Sequence, residues 1–181
     1  GRRSDHVSMA ARRTVCLNTD LSFDCRIGAT RHFTSTVYIV NDGGGALGGS
    51  KYLAQVGGSD GFPALPENAS EIIETIAAVA NQDSTLASHD VSHGGLAVTL
   101  AELITDEVGA DVSVDSVVDL FDETPGLVVI ETTDAEAVRE AFDVVAPVDS
   151  LGSATDNSVL SLTVGDETVG YDAESGAELR S

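Results

Sequence analysis

Three short stretches concentrate the residue types that could do chemistry. Gly48-Gly49-Ser50-Lys51 and Ser92-His93-Gly94-Gly95 each place a glycine pair before a helix-like pattern, and Phe121-Asp122-Glu123-Thr124-Pro125-Gly126 places two acids in a turn. A helix start leaves its first backbone N–H groups unpaired, and glycines let a ligand come close, so an anion such as phosphate suits such junctions. The candidates for a ligand- or phosphate-holding set are therefore Gly48, Gly49, Ser50, His89, Asp90, Ser92, Gly94, Gly95 and Glu123. The plainer alternative is a helix capped by Ser92 or Asp90, with the glycines serving only the turn.

Other chemistries find less support in the spacing. His89-x3-His93 is the only closely spaced histidine pair and has no further ligands near it in sequence, so no metal site is assigned. Gly48-Gly49-Ser50-Lys51 inverts the Gly-Lys-Ser/Thr order of a phosphate-binding P-loop, and no Gly-x-Ser-x-Gly elbow exists to present a nucleophilic serine. No catalytic residue is assigned.

The elements that must position these loops follow from periodicity. Thr34–Val40 and Thr85–Ser88 read as strands, with the polar turn 88–93 after the second. A short helix runs through Val56, and Gly57–Pro66 is loop. Asn68 with Glu71 resembles a capping box opening a helix to about Asn81; a second helix starts at Leu96 and stops near Asp106–Gly109. Ala110–Val114 is a strand, Asp115–Leu120 a helical turn, and Leu127–Ile130 a continuous apolar strand of the buried kind. Thr133 is expected to cap a helix over Asp134–Phe142, followed by strands at Val144–Leu151, Val159–Val164 and Glu167–Gly170 and a fraying end at Asp172–Ser181. Alternating strands and helices with a final strand pair predict an α/β sandwich, a mixed β-sheet covered by helices.

Charge divides the chain. The net charge is −21, yet residues 1–35 hold six arginines against three acids, and beyond them Lys51, Arg139 and Arg180 are the only bases. Residues 1–33 show no sustained periodicity and stay unassigned, as a basic segment either disordered or translated out of frame, while 34–181 form the domain. So acidic a surface repels nucleic acid and anionic membranes, and it suits a high-salt cytoplasm. Cys16 and Cys25 have no zinc-like partners, no apolar run is long enough to span a bilayer, and residues 1–30 lack a signal-peptide centre, which together predict a cytoplasmic protein.

Leu47-Gly48-Gly49-Ser50-Lys51-Tyr52-Leu53, His89–Val98 and Leu120–Gly126 resemble, in order and spacing, successive motifs of phosphoribosylformylglycinamidine synthase (subunit II or large type). The likeness spans about residues 34–170 and is to its second C-terminal domain, of the aminoimidazole-ribonucleotide-synthase-like type; the acidity suggests a haloarchaeal version. That resemblance implies the fold just described and a part in purine biosynthesis, the ATP-dependent conversion of formylglycinamide ribonucleotide to formylglycinamidine ribonucleotide. It implies ATP and Mg²⁺ for the complete enzyme, N-terminal catalytic domains outside this chain, and glutaminase and small accessory subunits as partners. A fragment of this kind is expected to be inactive alone; the alternative is a non-catalytic module that docks onto a separate N-terminal partner. The chain departs from the usual pattern at Lys51, where Glu is common, at His93, where Asp is, and at Leu127, where Arg is.

Overall fold

The structure is a computed structural model that describes residues 14–16, 35–41 and 44–172. Among the described residues eight strands form one mixed sheet in the order β1-β3-β5-β2-β6-β4-β7-β8. They are β1 (Thr14–Cys16), β2 (Thr36–Val40), β3 (Thr85–Asp90), β4 (Gly109–Val114), β5 (Val128–Thr132), β6 (Val148–Thr155), β7 (Val159–Val164) and β8 (Glu167–Asp172). The helices are α1 (Lys51–Val56), α2 (Ala69–Ala80), α3 (Gly95–Leu103), α4 (Val117–Phe121) and α5 (Ala135–Phe142). The α/β sandwich with a mixed sheet is thus the observed architecture.

Alternation along the central strands builds two cores. Val37 and Val129 face one side, where Leu96, Leu100 and Leu103 of α3 cover them. Tyr38, Val40, Val128 and Ile130 face the other, under Val79 of α2 and Val138 and Phe142 of α5. With both faces covered, β5 is buried along its whole length, as its unbroken apolar run requires. Aliphatic side chains do most of this work, Tyr38 and Phe142 being the fully buried aromatics among the described residues.

Several boundaries moved for identifiable reasons. β3 extends two residues beyond Ser88, because His89 and Asp90 pair with Val129 and Val128 of β5. α3 stops at Leu103, since Ile104 turns extended and Thr105 Oγ1 accepts from the Glu107 and Val108 N–H groups. β6 starts at Val148 rather than Val144. Val145 and Ala146 are still tied to the Phe142 carbonyl, and the Pro147 carbonyl accepts from Asn41 N–H.

Two expected caps are replaced. Asn68 makes no side-chain cap, because its Nδ2 donates to the Val145 carbonyl at 2.7 Å; the reciprocal box forms instead between Ser116 and Asp119 at the start of α4. Thr133 binds the Ser84 carbonyl, and Asp134 caps α5 by accepting from Ala137 N–H at 3.1 Å. β1 is a three-residue strand inside a segment without periodicity of its own, and it takes its form from parallel pairing with β3. The remainder of 1–33 and the end beyond Asp172 lie outside the described residues.

Candidate functional site

Sheet register gathers the motif loops. Val128 at the start of β5 pairs with both Val40 and Asp90, the last residues of β2 and β3. The segments that leave β2 and β3 and the one that enters β5 therefore share one end of the sheet. The first carries Gly48, Gly49 and Ser50, the second Ser92, Gly94 and Gly95, and the third Asp122 and Glu123.

Glu123 joins the first two. Its Oε1 accepts from Lys51 N–H and from Gly94 N–H, each at 2.8 Å, so one carboxylate oxygen serves the starts of α1 and α3. A carboxylate at a helix N-terminus is favoured by the helix dipole and by the orphan N–H groups. Ser50, buried, caps α1 by accepting from Leu53 N–H at 3.2 Å. Neither Ser92 nor Asp90 caps α3: its cap position is Gly94, in the left-handed region at φ 94°, with no side-chain cap from its own loop. The Ser92 carbonyl accepts from Gly95 N–H at 2.9 Å.

Gly95 (φ 66°) is required by packing. A Cβ there would stand 2.7 Å from Phe121 Cα and 2.8 Å from the Leu120 carbonyl, so a bare backbone lets α3 meet the end of α4. Gly48 is equally tight, since a Cβ would lie 2.2 Å from the Gly61 carbonyl, which already accepts from Gly48 N–H at 2.9 Å. Tyr52 of α1 stacks on Phe121 of α4 with centroids 4.5 Å apart, which ties α1 to the same helix that α3 meets at Gly95.

Two further acids organise the site. Asp122 is 3% exposed; its Oδ2 accepts from Gly44 and Gly45 N–H at 3.1 Å, while Oδ1 accepts from Thr124 N–H at 2.7 Å and the Thr124 hydroxyl at 2.5 Å. Asp60 Oδ2 accepts from Leu47 N–H at 2.8 Å and Oδ1 from Gly61 N–H at 2.7 Å. Those two backbone donors hold the Asp60 carboxyl below its ordinary value. A visible signal existed for Asp122, because Asp two residues before Thr in a turn commonly binds its own backbone. Asp60 sits in a run of Gly, Ser and Pro that marks only loop.

His89 and Asp90 take another role. They belong to β3, where His89 Nδ1 donates to the Asp90 carbonyl at 2.6 Å and Nε2 lies 3.8 Å from Glu102 Oε2 on α3. The unusual positions also separate: Lys51 and His93 are exposed, whereas Leu127 is buried in the α3-side core.

Beside these loops a cleft of about 320 Å³ opens against Asp115, Asp119, Asp122 and Asp149, with Leu96 and Leu127 at its apolar wall. Its lining holds no base. A triphosphate needs free N–H donors or cations, and here the carboxylates of Glu123 and Asp122 occupy the N–H groups of Lys51, Gly94, Gly44 and Gly45.

The chain resembles known proteins in sequence and fold. A family model described as AIR synthase related protein, C-terminal domain, matches residues 35–165. The chain is 57% identical over 148 residues to phosphoribosylformylglycinamidine synthase subunit PurL of Natronomonas pharaonis, covering 79% of this chain and 21% of that protein. It is 56% identical over 141 residues to the PurL subunit of Haloarcula marismortui, covering 75% and 20%. The chain thus spans about one fifth of the length of these relatives. In fold it is similar to two solved structures from Thermotoga maritima, PurL complexed with ATP and PurLQS, with TM-scores of 0.62 and 0.60. Each is 16% identical, and the likeness covers 83% of this chain and 26% or 27% of those chains. The chain belongs to the family of AIR synthase related proteins through their C-terminal domain.

Proposed function

We propose that this chain is the C-terminal part of a phosphoribosylformylglycinamidine synthase subunit, which converts formylglycinamide ribonucleotide to formylglycinamidine ribonucleotide with ATP. Its task is to close one edge of a site whose nucleotide contacts, Mg²⁺ and catalytic groups come from domains outside this chain, and alone it is inactive. Glutaminase and small accessory subunits belong to the assembled enzyme, in the cytoplasm. The observation that carries this reading is the Glu123 carboxylate joining the starts of α1 and α3: the anion positions of the glycine loops hold the chain's own acid. The loops are built to keep their shape, and Gly48, Gly49, Ser50, Ser92, Gly94, Gly95 and Glu123 act as a frame. His89 and Asp90 brace β3 behind it. Among the described residues no helix is long and apolar enough to cross a membrane. Titration calorimetry with ATP and Mg²⁺ in molar KCl tests the division of labour. The chain alone is expected to give no saturable heat, and micromolar binding would defeat the reading.

A further inference from the structure

Asp60 and Gly61 form an Asp-Gly pair in the loop that leads from α1 to α2. The Asp60 side chain is folded back onto the peptide that follows it, because its Oδ1 accepts from Gly61 N–H at 2.7 Å. Cγ lies one bond beyond that oxygen, so the Gly61 nitrogen and the carboxyl carbon are held close to the roughly 3–3.5 Å from which a bond can form. Other acids in turns and caps reach further along the chain: Asp122 and Asp134 accept from the amides of Thr124 and Ala137. The second Asp60 oxygen, Oδ2, is tied to Leu47 N–H at 2.8 Å, which keeps the carboxyl from swinging away. The pair is open to water, both residues being exposed, and a Cβ built on Gly61 would meet nothing within 4 Å. Gly61 also lies outside the left-handed region, so neither packing nor backbone conformation requires glycine there.

We propose that Asp60-Gly61 is a site of spontaneous covalent modification, at which the Gly61 nitrogen attacks Asp60 Cγ and closes a cyclic imide. The N–Cγ bond forms, the Cγ–OH bond breaks, and the amide proton leaves with the hydroxyl as water. Water then adds back at either imide carbonyl. Opening at Cγ restores aspartate; opening at the main-chain carbonyl leaves an isoaspartyl link, in which the backbone runs through Cβ and Cγ. Water is the leaving group only from the neutral carboxyl, and the Leu47 and Gly61 N–H groups favour the ionised form, so the reaction accelerates as pH falls from neutral. Its consequence is local. The isoaspartyl backbone is longer by a methylene and carries its carboxylate on Cα, so the ties to Leu47 and Gly48 N–H that fasten this loop to the glycine frame are lost. This chemistry is independent of the chain's part in a synthase.

The full chain, aged in mildly acidic molar KCl made with heavy-oxygen water, tests this by peptide mapping and mass spectrometry. Folded protein is expected to gain label and isoaspartate at residue 60 about tenfold faster than at Asp115 and Asp149, each followed by serine. Gly61→Ala, which crowds the nitrogen where the fold leaves open space, is expected to slow the reaction about tenfold without lowering Tm. The rate at residue 60 in the folded parent is expected to exceed that in concentrated urea, where the side chain is no longer held. Faster labelling in urea overturns the site, because the fold would then protect it. So does a signal confined to Asp42-Gly43, the other Asp-Gly pair of the sequence, or a rate that Gly61→Ala leaves unchanged.

Discussion

Gly94 donates its backbone N–H to Glu123 Oε1 at 2.8 Å across 29 residues of sequence. Because the same oxygen takes Lys51 N–H, a turn next to β5 fixes the starts of two helices at once. A junction that suits phosphate on sequence grounds is therefore an internal stitch. The fold places its own carboxylate at these two N–H groups.

Replacing Glu123 tests the stitch. Glu123→Ala strands one exposed and one partly buried N–H, and the loss is expected to be about 1–3 kcal/mol. In a chain of this size that lowers Tm by about 2–4 °C per kcal/mol. Glu123→Gln keeps a carbonyl acceptor and should cost about half as much. Thermal unfolding in molar KCl checks both, and equal Tm for parent and Glu123→Ala contradicts the role.

Asp122 is held to a stricter standard, because it is buried and takes four donors. Asp122→Asn turns one oxygen into a donor facing either the Gly44 and Gly45 N–H groups or those of Thr124. No rotamer satisfies all of them, so Asn is expected to cost nearly as much as Ala, about 2–4 kcal/mol. Denaturant unfolding of the two variants gives the comparison, and a harmless Asn would show that the charge and the second oxygen are dispensable.

Gly95→Ala separates backbone conformation from packing. The added Cβ meets the backbone of Leu120 and Phe121, so α4 must shift and the Tyr52–Phe121 stack should open. Gly45→Ala is the control: its φ of 60° is also left-handed, but a Cβ there has nothing within 4 Å. The control should lose about 1 kcal/mol and Gly95→Ala several times more. Near-ultraviolet circular dichroism, with tyrosine and phenylalanine as the only aromatics, reports the stack; equal losses would refute the packing argument.

Asp60 sets part of the acid response. Its carboxyl is held below the usual 3.8 by the Leu47 and Gly61 N–H groups. A depressed folded value means that the stabilisation is present above the unfolded value and is lost as pH falls through the folded one. Carboxyl-detected NMR should find Asp60 titrating below the exposed acids of the chain, and Asp60→Asn should make the acid limb of unfolding shallower. Titration of Asp60 with or above the bulk acids would contradict the anchor.

Periodicity made the layers legible: TSTVYIV and the run Leu127–Ile130 each specify an element and a face, while the apolar set Ile72, Ile73, Ile76, Ala77, Val79 and Ala80 specifies the helix α2 but not its whole face, since Ile73 and Ala77 are exposed. What it could not supply were partners distant in sequence. Asn68 and Thr133 have capping chemistry, yet each found a tertiary carbonyl, from Val145 and Ser84, that outcompeted the local N–H groups. His89 and Asp90 look like turn residues until β5 is there to pair with them. At the site, the glycine pairs and Glu123 stand out as residue types, but that Glu123 fills the anion position is a fact of register between β2, β3 and β5. Asp60 carried no signal at all, because its loop becomes ordered only against Leu47 and Gly48.

The central claim is that this chain frames a site it cannot complete. Formylglycinamidine ribonucleotide formation from formylglycinamide ribonucleotide, ATP and ammonia, followed in molar KCl, tests it most directly. The account predicts no turnover by the chain alone and turnover when the unmatched part of the Natronomonas pharaonis relative is added; turnover by the chain alone would contradict it.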